Sequence, residues 1–262
     1  MENAYTEREV NNMSLIQNYY NEINTYLLNI MNTEQEKIQK AANMISEQVK
    51  QDKLFYVYGP GGHSNLASQE VFFRAGGLMH ASAILDEGTL LSSGALRSMK
   101  IERTPGYGRI VIDDYNLQKD DLLIVINAYG INAATIDSVL EAKERGVTTV
   151  GVSSVKHAEE TPANHPARHP SKHNLHDIVD VNIDSKIDVG DAVIDIEGQE
   201  QKVGAISTFV NAFILNSIII ETTALLANQN IHPPIWKSGN ALGGDEWNNQ
   251  FIDRFKGRIK LL

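Results

Sequence analysis

The run Leu122-Leu-Ile-Val-Ile126 constrains the fold more than any other stretch, because a continuous apolar segment of strand length is at home where both faces are covered. Behind it come a glycine turn, Asn127-Ala-Tyr-Gly-Ile-Asn132, and a helix-length segment over 133–145 that Gly146 can cap. A second apolar strand follows over 147–152. The same alternation recurs elsewhere: residues 54–58 read as a strand, 65–75 as a helix ending at Gly76-Gly77, 78–85 as an apolar stretch, the segment holding Thr104-Pro-Gly-Tyr-Gly108 as a polar loop, and 178–183 as a further strand. Residues 205–228 form a long helix that is apolar nearly all round and hence buried. Upstream, Leu15, Tyr19, Ile23, Leu27 and Ile30, then Ile38, Ala41 and Ile45, fall at helical spacing and give one or two amphipathic helices. Strands separated by helix-length segments imply an α/β fold, with a parallel sheet covered on both faces. The organisation expected is a helical extension over 1–50, a main domain over 51–230, and a tail over 231–262 packing on that domain or on a neighbouring subunit.

Composition narrows the function. A chain of 262 residues with 42% hydrophobic content can bury one large core or two small ones, a single domain with extensions being the default. Its net charge of −10 argues against nucleic acid as a partner, since a phosphate backbone calls for a basic face. The absence of cysteine removes disulfides, cysteine nucleophiles and thiolate zinc sites together. The opening MENAYTER has no apolar core behind a basic end and does not read as a secretory leader. The longest apolar run, 212–227, carries Asn216, Ser217, Glu221, Thr222 and Thr223, and reads as too short and too polar to span a bilayer. The expectation is a cytoplasmic protein with neither a membrane nor a nucleic acid as partner.

In a parallel sheet, ligands sit beyond the carboxyl ends of the strands, where the strand order reverses. Two turns have that position. One is Asn127 to Asn132; the other is the end of "FYVYGPGGHS", where Gly59, Gly61 and Gly62 lead into His63 and Ser64. Glycines let successive N–H groups approach an anion, and a helix starting at Ser64 aims its dipole at it; the alternative is a tight turn that binds nothing. A dinucleotide site fits poorly, because the third glycine of that fingerprint is missing and Phe73 stands downstream where a small residue is needed.

Several segments then act together: "FYVYGPGGHS", "QEVFFRAGG", "GALRSMKIERTPGYG", "DDLLIVINAYGINAATIDSVLEAKERGVTTVGVSS", "RHPSKHNLHDIVDV", "GDAVIDIEGQEQKVG" and "SGNALGGDE". In this order, over residues 10–258, they resemble the sugar isomerase (SIS) domain, in the branch related to phosphoheptose isomerase. The resemblance implies a three-layer fold with a five-stranded parallel sheet flanked by helices, homodimers or homotetramers, and sites for phosphosugars at subunit junctions. It further implies an aldose–ketose isomerase of carbohydrate metabolism, working through an enediol on a small-molecule sugar phosphate without a cofactor. Two other readings stay open: a non-catalytic phosphosugar sensor, and a lyase acting on a sugar-acid or amino-sugar phosphate. The sequence also departs from the family. Where the second turn usually reads Ser-Asn-Ser-Gly-Arg-Asn, Asn127, Tyr129 and Ile131 take the serine, serine and arginine places, while Gly130 and Asn132 remain. Ser92-Ser93 stands where relatives often carry His-Glu. The departures point either to a different substrate or to weakened chemistry.

Isomerisation through an enediol needs a base for a carbon-bound proton and a second group for oxygen-bound protons. Glu70, on the helix behind the first turn, is the candidate base, although its spacing to Arg74 equally suits a surface ion pair. His63 is a candidate for ring opening or anion binding, or else a turn histidine bonded to backbone. Arg168-His-Pro-Ser171 matches the family pattern, which assigns Arg168 to the anion and His169 to proton movement; a solvated basic loop is the alternative. Gly61, Gly62, Ser64, Asn127, Tyr129, Gly130 and Asn132 are the expected substrate contacts, and Ser207 and Thr208 either donate to the ligand or cap their helix. His165, His169 and His173 are spaced as metal ligands on a helix would be, with His157 and His176 flanking, but Pro166 and Pro170 break such a helix and no metal is expected. Asp245 and Glu246 follow two glycines, where the tail either closes over a neighbouring site or forms an acidic, solvated loop.

Overall fold

A computed structural model describes residues 14–262; the MENAYTER stretch and the rest of residues 1–13 of the expected helical extension lie outside the described residues. In chain order the elements are α1 (Leu15–Thr33), α2 (Gln35–Lys50), β1 (Phe55–Tyr58), α3 (Ser64–Val71), β2 (Ala81–Ile84), α4 (Ala95–Glu102), α5 (Tyr107–Asp114), β3 (Leu122–Ile126) and α6 (Ala133–Glu144). After these come β4 (Thr148–Ser153), α7 (Val155–Glu160), α8 (Leu175–Ile178), β5 (Val181–Asp184), β6 (Ala192–Ile194), β7 (Val203–Ala205), α9 (Ser207–Ala227) and α10 (Gly244–Phe255).

Strands β1 to β5 form a parallel five-stranded sheet in the order β2-β1-β3-β4-β5. The side-chain alternation of a strand divides its residues between two cores. Phe55, Val57, Leu122, Ile124 and Ile126 face the layer of α1, α2 and α9, whereas Tyr58, Leu123 and Val125 face α5 and α6. A smaller cluster of Leu54, Met79, Trp236, Phe255 and Ile259 joins the last residues to the sheet. The chain reverses direction across the sheet between β1 and β3, whose ends are paired as Tyr58 with Val125. This register sets the turns behind β1 and β3 side by side.

Four local readings need correcting. The helix expected over 65–75 stops at Val71, because Phe72 is extended and Phe73, at φ +49°, turns its ring onto Trp236 with centroids 4.5 Å apart. The strand expected over 178–183 begins only at Val181; Ile178 closes the short α8, and Asp180 bends the chain by accepting the Thr149 N–H at 2.8 Å. The polar loop around Thr104 holds two helices, α4 and α5, parted at Gly106, which adopts φ +88°. Asp245 and Glu246 lie in the first turn of α10, where carboxylates complement the helix dipole.

Helix α9 runs for 21 residues, longer than the apolar run suggested, and by length and composition alone it would suffice to cross a membrane. Here it lies against α2 and α3 and buries Val210, Ile214, Leu215, Ile218, Ile219 and Leu226 in the core.

Candidate functional site

The two turns meet at the switch point between β1 and β3, and Asn127 ties them together. Its Nδ2 donates to Pro60 O at 3.0 Å, while its Oδ1 accepts from the Tyr129 and Gly130 N–H groups at 3.2 and 2.8 Å. Gly61 sits at φ +131° and packs so closely over the end of α4 that a side chain there would meet Glu102. Among the described residues no backbone carbonyl accepts from the N–H groups of Gly62, His63 or Ser64. These donors are free for an anion at the start of α3.

Between the turns and the start of α9 lies a cavity of about 170 Å³. Gly61, Gly62, His63, Ser64, Asn127, Tyr129 and Ser207 line it, so the structure assembles seven of the residues picked from the sequence. Besides Ala128 it adds three polar residues that were not: Glu102, Asp191 and Asn211. Glu102 is partly buried, and the loss of water raises its carboxyl to about 7, although the charge of Arg103 and the Asn127 side chain oppose that rise. Asp191, at φ +64°, takes the position an external anion would hold at the α9 N-terminus. Its Oδ1 accepts from Ile206 N and Ser207 N at 3.1 and 2.8 Å, and its Oδ2 accepts from Ser207 Oγ at 2.7 Å. Ser207 thus donates to this carboxylate while also lining the cavity.

Glu70 and Thr208 line an adjoining cavity of about 330 Å³ that shares His63 and Asn211 with the first. Glu70 is paired there with Arg74 at 3.4 Å and accepts from Asn216 Nδ2 at 3.3 Å. Asn132 lines a third cavity, of about 480 Å³, which meets the first at Glu102 and Tyr129.

Gly130, Arg168 and His169 line none of these three cavities. Gly130, at φ +63°, packs against Ser153 and Leu175. The Arg168 guanidinium is directed at its own loop, donating to the carbonyls of Ala158, Thr161 and Pro162 and to Asn174 Oδ1 at 2.8 Å. His169 lies 3.1 Å from Asp137 Oδ1 through Nε2 and 2.7 Å from Ser171 Oγ through Nδ1, and its N–H donates to Ile131 O at 2.8 Å. The histidine-rich segment is a loop of turns braced on the second glycine turn, and among the described residues no three His, Asp or Glu side chains converge as metal ligands.

Comparison with known proteins agrees with this fold. A family model described as SIS domain matches residues 18–154. The chain belongs to the SIS domain family. A UPF0309 protein of Caldanaerobacter subterraneus subsp. tengcongensis is 34% identical over 247 residues, covering 93% of this chain and 98% of the relative. Another, from Halalkalibacterium halodurans, is 36% identical over 248 residues, covering 95% of this chain and 97% of the relative. Among solved structures, a phosphoheptose isomerase from Neisseria gonorrhoeae superposes with a TM-score of 0.53 at 12% identity, covering 81% of this chain and 97% of that one. One from Francisella tularensis gives 0.50 at 14% identity, covering 80% and 98%. The likeness to these two is one of fold.

Proposed function

We propose that this SIS protein binds a phosphorylated sugar across the paired glycine turns and interconverts its aldose and ketose forms through an enediol, as a cytoplasmic, homo-oligomeric enzyme. The observation that carries the reading is the Glu102 carboxyl, raised to about 7 by burial and set against the glycine turn. A carboxylate of ordinary pKa is too weak a base near neutrality to be reprotonated readily. One poised near 7 can lift the proton next to the carbonyl and return it one carbon over. The N–H groups of Gly62, His63 and Ser64 hold the anionic end of the ligand, and His63, shared by two cavities, moves the oxygen-bound protons. Glu70 stands at the far side of His63, where its ion pair with Arg74 suits positioning of the sugar better than proton abstraction.

The test is proton exchange. Sugar phosphates that raise the melting temperature of the chain are incubated with it in deuterated water, and label at carbon 1 or carbon 2 is followed by NMR. Wild type incorporates deuterium; Glu102→Gln loses roughly a hundredfold or more of that rate while keeping ligand-induced stabilisation. Exchange lost in Glu70→Gln but retained in Glu102→Gln moves the base to Glu70. A ligand that binds wild type tightly without exchange, ketose formation or elimination makes the protein a sensor.

A further inference from the structure

Ser207 and Asp191 form a hydrogen-bonded pair among the residues lining the cavity between the glycine turns, and the reaction as drawn so far leaves them unused. A hydroxyl has one proton to donate and two lone pairs to accept with. Ser207 gives that proton to Asp191 Oδ2 at 2.7 Å, so only lone pairs remain for an occupant of the cavity. Toward a ligand hydroxyl Ser207 is therefore an acceptor, with a carboxylate behind it.

Capping alone does not explain Asp191. A cap needs one oxygen, and Oδ1 fills that role by accepting from Ile206 N and Ser207 N at 3.1 and 2.8 Å. Asparagine caps a helix equally well and adopts a left-handed backbone such as the φ of +64° found here as readily. What the carboxylate adds is a second acceptor, and that oxygen is turned onto the Ser207 hydroxyl. The charge is also felt inside the cavity. The Tyr129 phenol is held above its ordinary range first by burial, then by the charges of Asp191 and Glu102, so both carboxylates act on one ring of the lining.

Interconversion of an aldose and a ketose moves hydrogen on carbon and on oxygen. Glu102 takes a proton from carbon 2 and returns one to carbon 1, while oxygen 2 has to lose a proton and oxygen 1 has to gain one. A single side chain would have to reach both oxygens. The cavity instead offers two groups on separate elements, His63 ahead of α3 and Ser207 at the start of α9.

We propose that Ser207 and Asp191 form the relay that removes the proton from oxygen 2; this rests on the enediol reading of the same cavity. The proton of the substrate hydroxyl passes to Ser207 Oγ as Ser207 passes its own to Asp191 Oδ2. His63 supplies a proton to oxygen 1. The substrate thus loses one proton and gains one at oxygen, and water returns the proton from Asp191 to His63 after each turnover. Ser207 touches the substrate, and Asp191 acts through it.

The experiment separates exchange from isomerisation. The full chain is incubated in deuterated water with ribose 5-phosphate, arabinose 5-phosphate, glucose 6-phosphate, mannose 6-phosphate and galactose 6-phosphate in turn. Initial rates of label at carbon 2 of recovered aldose and of ketose formation are read by NMR. Exchange at carbon 2 needs Glu102 and His63, whereas ketose needs the oxygen 2 proton removed as well. Asp191→Asn keeps an oxygen on the cap but turns an amide, which donates, onto Ser207. Ketose formed per carbon 2 exchange should fall roughly tenfold or more in this variant and in Ser207→Ala. Ser207→Thr, which restores the hydroxyl, should restore the ratio. Loss of folded protein lowers both rates alike and cancels in the ratio. A ratio unchanged in either Asp191→Asn or Ser207→Ala overturns the relay while the Glu102 reading stands. If wild type gives no label or no ketose with any of the five compounds, the enediol reading fails and the relay fails with it.

Discussion

A β-carbon placed on Gly61 would lie 3.0 Å from Oε2 of Glu102, so the turn assigned to the anion and the carboxyl assigned to the proton touch each other. Gly61 also holds φ +131°, a conformation side chains rarely adopt. Gly61→Val therefore displaces the turn or the carboxyl, at a cost of about 1–3 kcal/mol in backbone strain. The variant is expected to fold, shown by unchanged far-ultraviolet circular dichroism, and to lose the rise in melting temperature that a sugar phosphate gives wild type. Retained ligand stabilisation in the folded variant rejects the turn as the anion site.

The raised Glu102 carboxyl makes a prediction about stability and pH. Its folded value of about 7 lies above its ordinary value of 4.5, so the folded state binds the extra proton and the unfolded state releases it first. Stability is accordingly lost as pH rises from about 4.5 through 7, and Glu102→Gln, which cannot ionise, escapes that loss. At pH 5 the variant and wild type should unfold at similar denaturant concentrations. At pH 8 the variant should be the more stable, by about 1–2 kcal/mol after discounting for partial exposure. Parallel pH profiles for the two proteins contradict a perturbed Glu102.

The architecture was legible in the sequence because its signals are local. The Leu122 run and the glycine turn behind it require nothing from the rest of the chain to be read as a buried strand and a strand-end loop. The same locality explains six of the seven cavity residues, which sit in turns whose glycines advertise them; the seventh, Ser207, stands out as the first residue of the long apolar helix. Glu102 and Asp191 gave no such signal. Glu102 closes a helix in a stretch that looked like polar loop, and its effect comes from contact with Gly61, distant in sequence. Asp191 faces Ser207 only because the β6–β7 hairpin folds back onto the start of α9. Arg168 shows the opposite case: a cation in a family motif, whose donors the structure turns onto its own loop.

Arg168 is a test of that distinction. Its guanidinium gathers the carbonyls of Ala158, Thr161 and Pro162 and the amide of Asn174, and so fastens the segment that braces the second glycine turn. Arg168→Ala leaves those acceptors without donors and should destabilise the chain by about 2–3 kcal/mol in urea. Ligand affinity, measured below the melting temperature, should change less than about threefold. A large loss of affinity with little loss of stability would instead place the guanidinium on the ligand.

The outer side of the helical layer gives the last prediction. Ile16 and Leu28 on α1 and Phe209 and Ile220 on α9 are exposed, with Ile16 at 83% and Ile220 at 66%. Phe213 of α9 and Met31 of α1 line a groove of about 360 Å³ that runs between the helices. Scattered exposed apolar residues need no explanation, but two neighbouring helices that both carry them beside an open groove are covered most simply by a second copy of the same surface. This also accounts for a helix long and apolar enough to cross a membrane that lies instead against α2 and α3. Sedimentation velocity at micromolar concentration should show an oligomer, and Ile220→Asp should shift it to monomer with little change in circular dichroism. The charge is placed on an exposed position, so it harms folding little and association much. A wild-type monomer would leave this face without a partner copy, and flotation with lipid vesicles would then decide whether a membrane covers it.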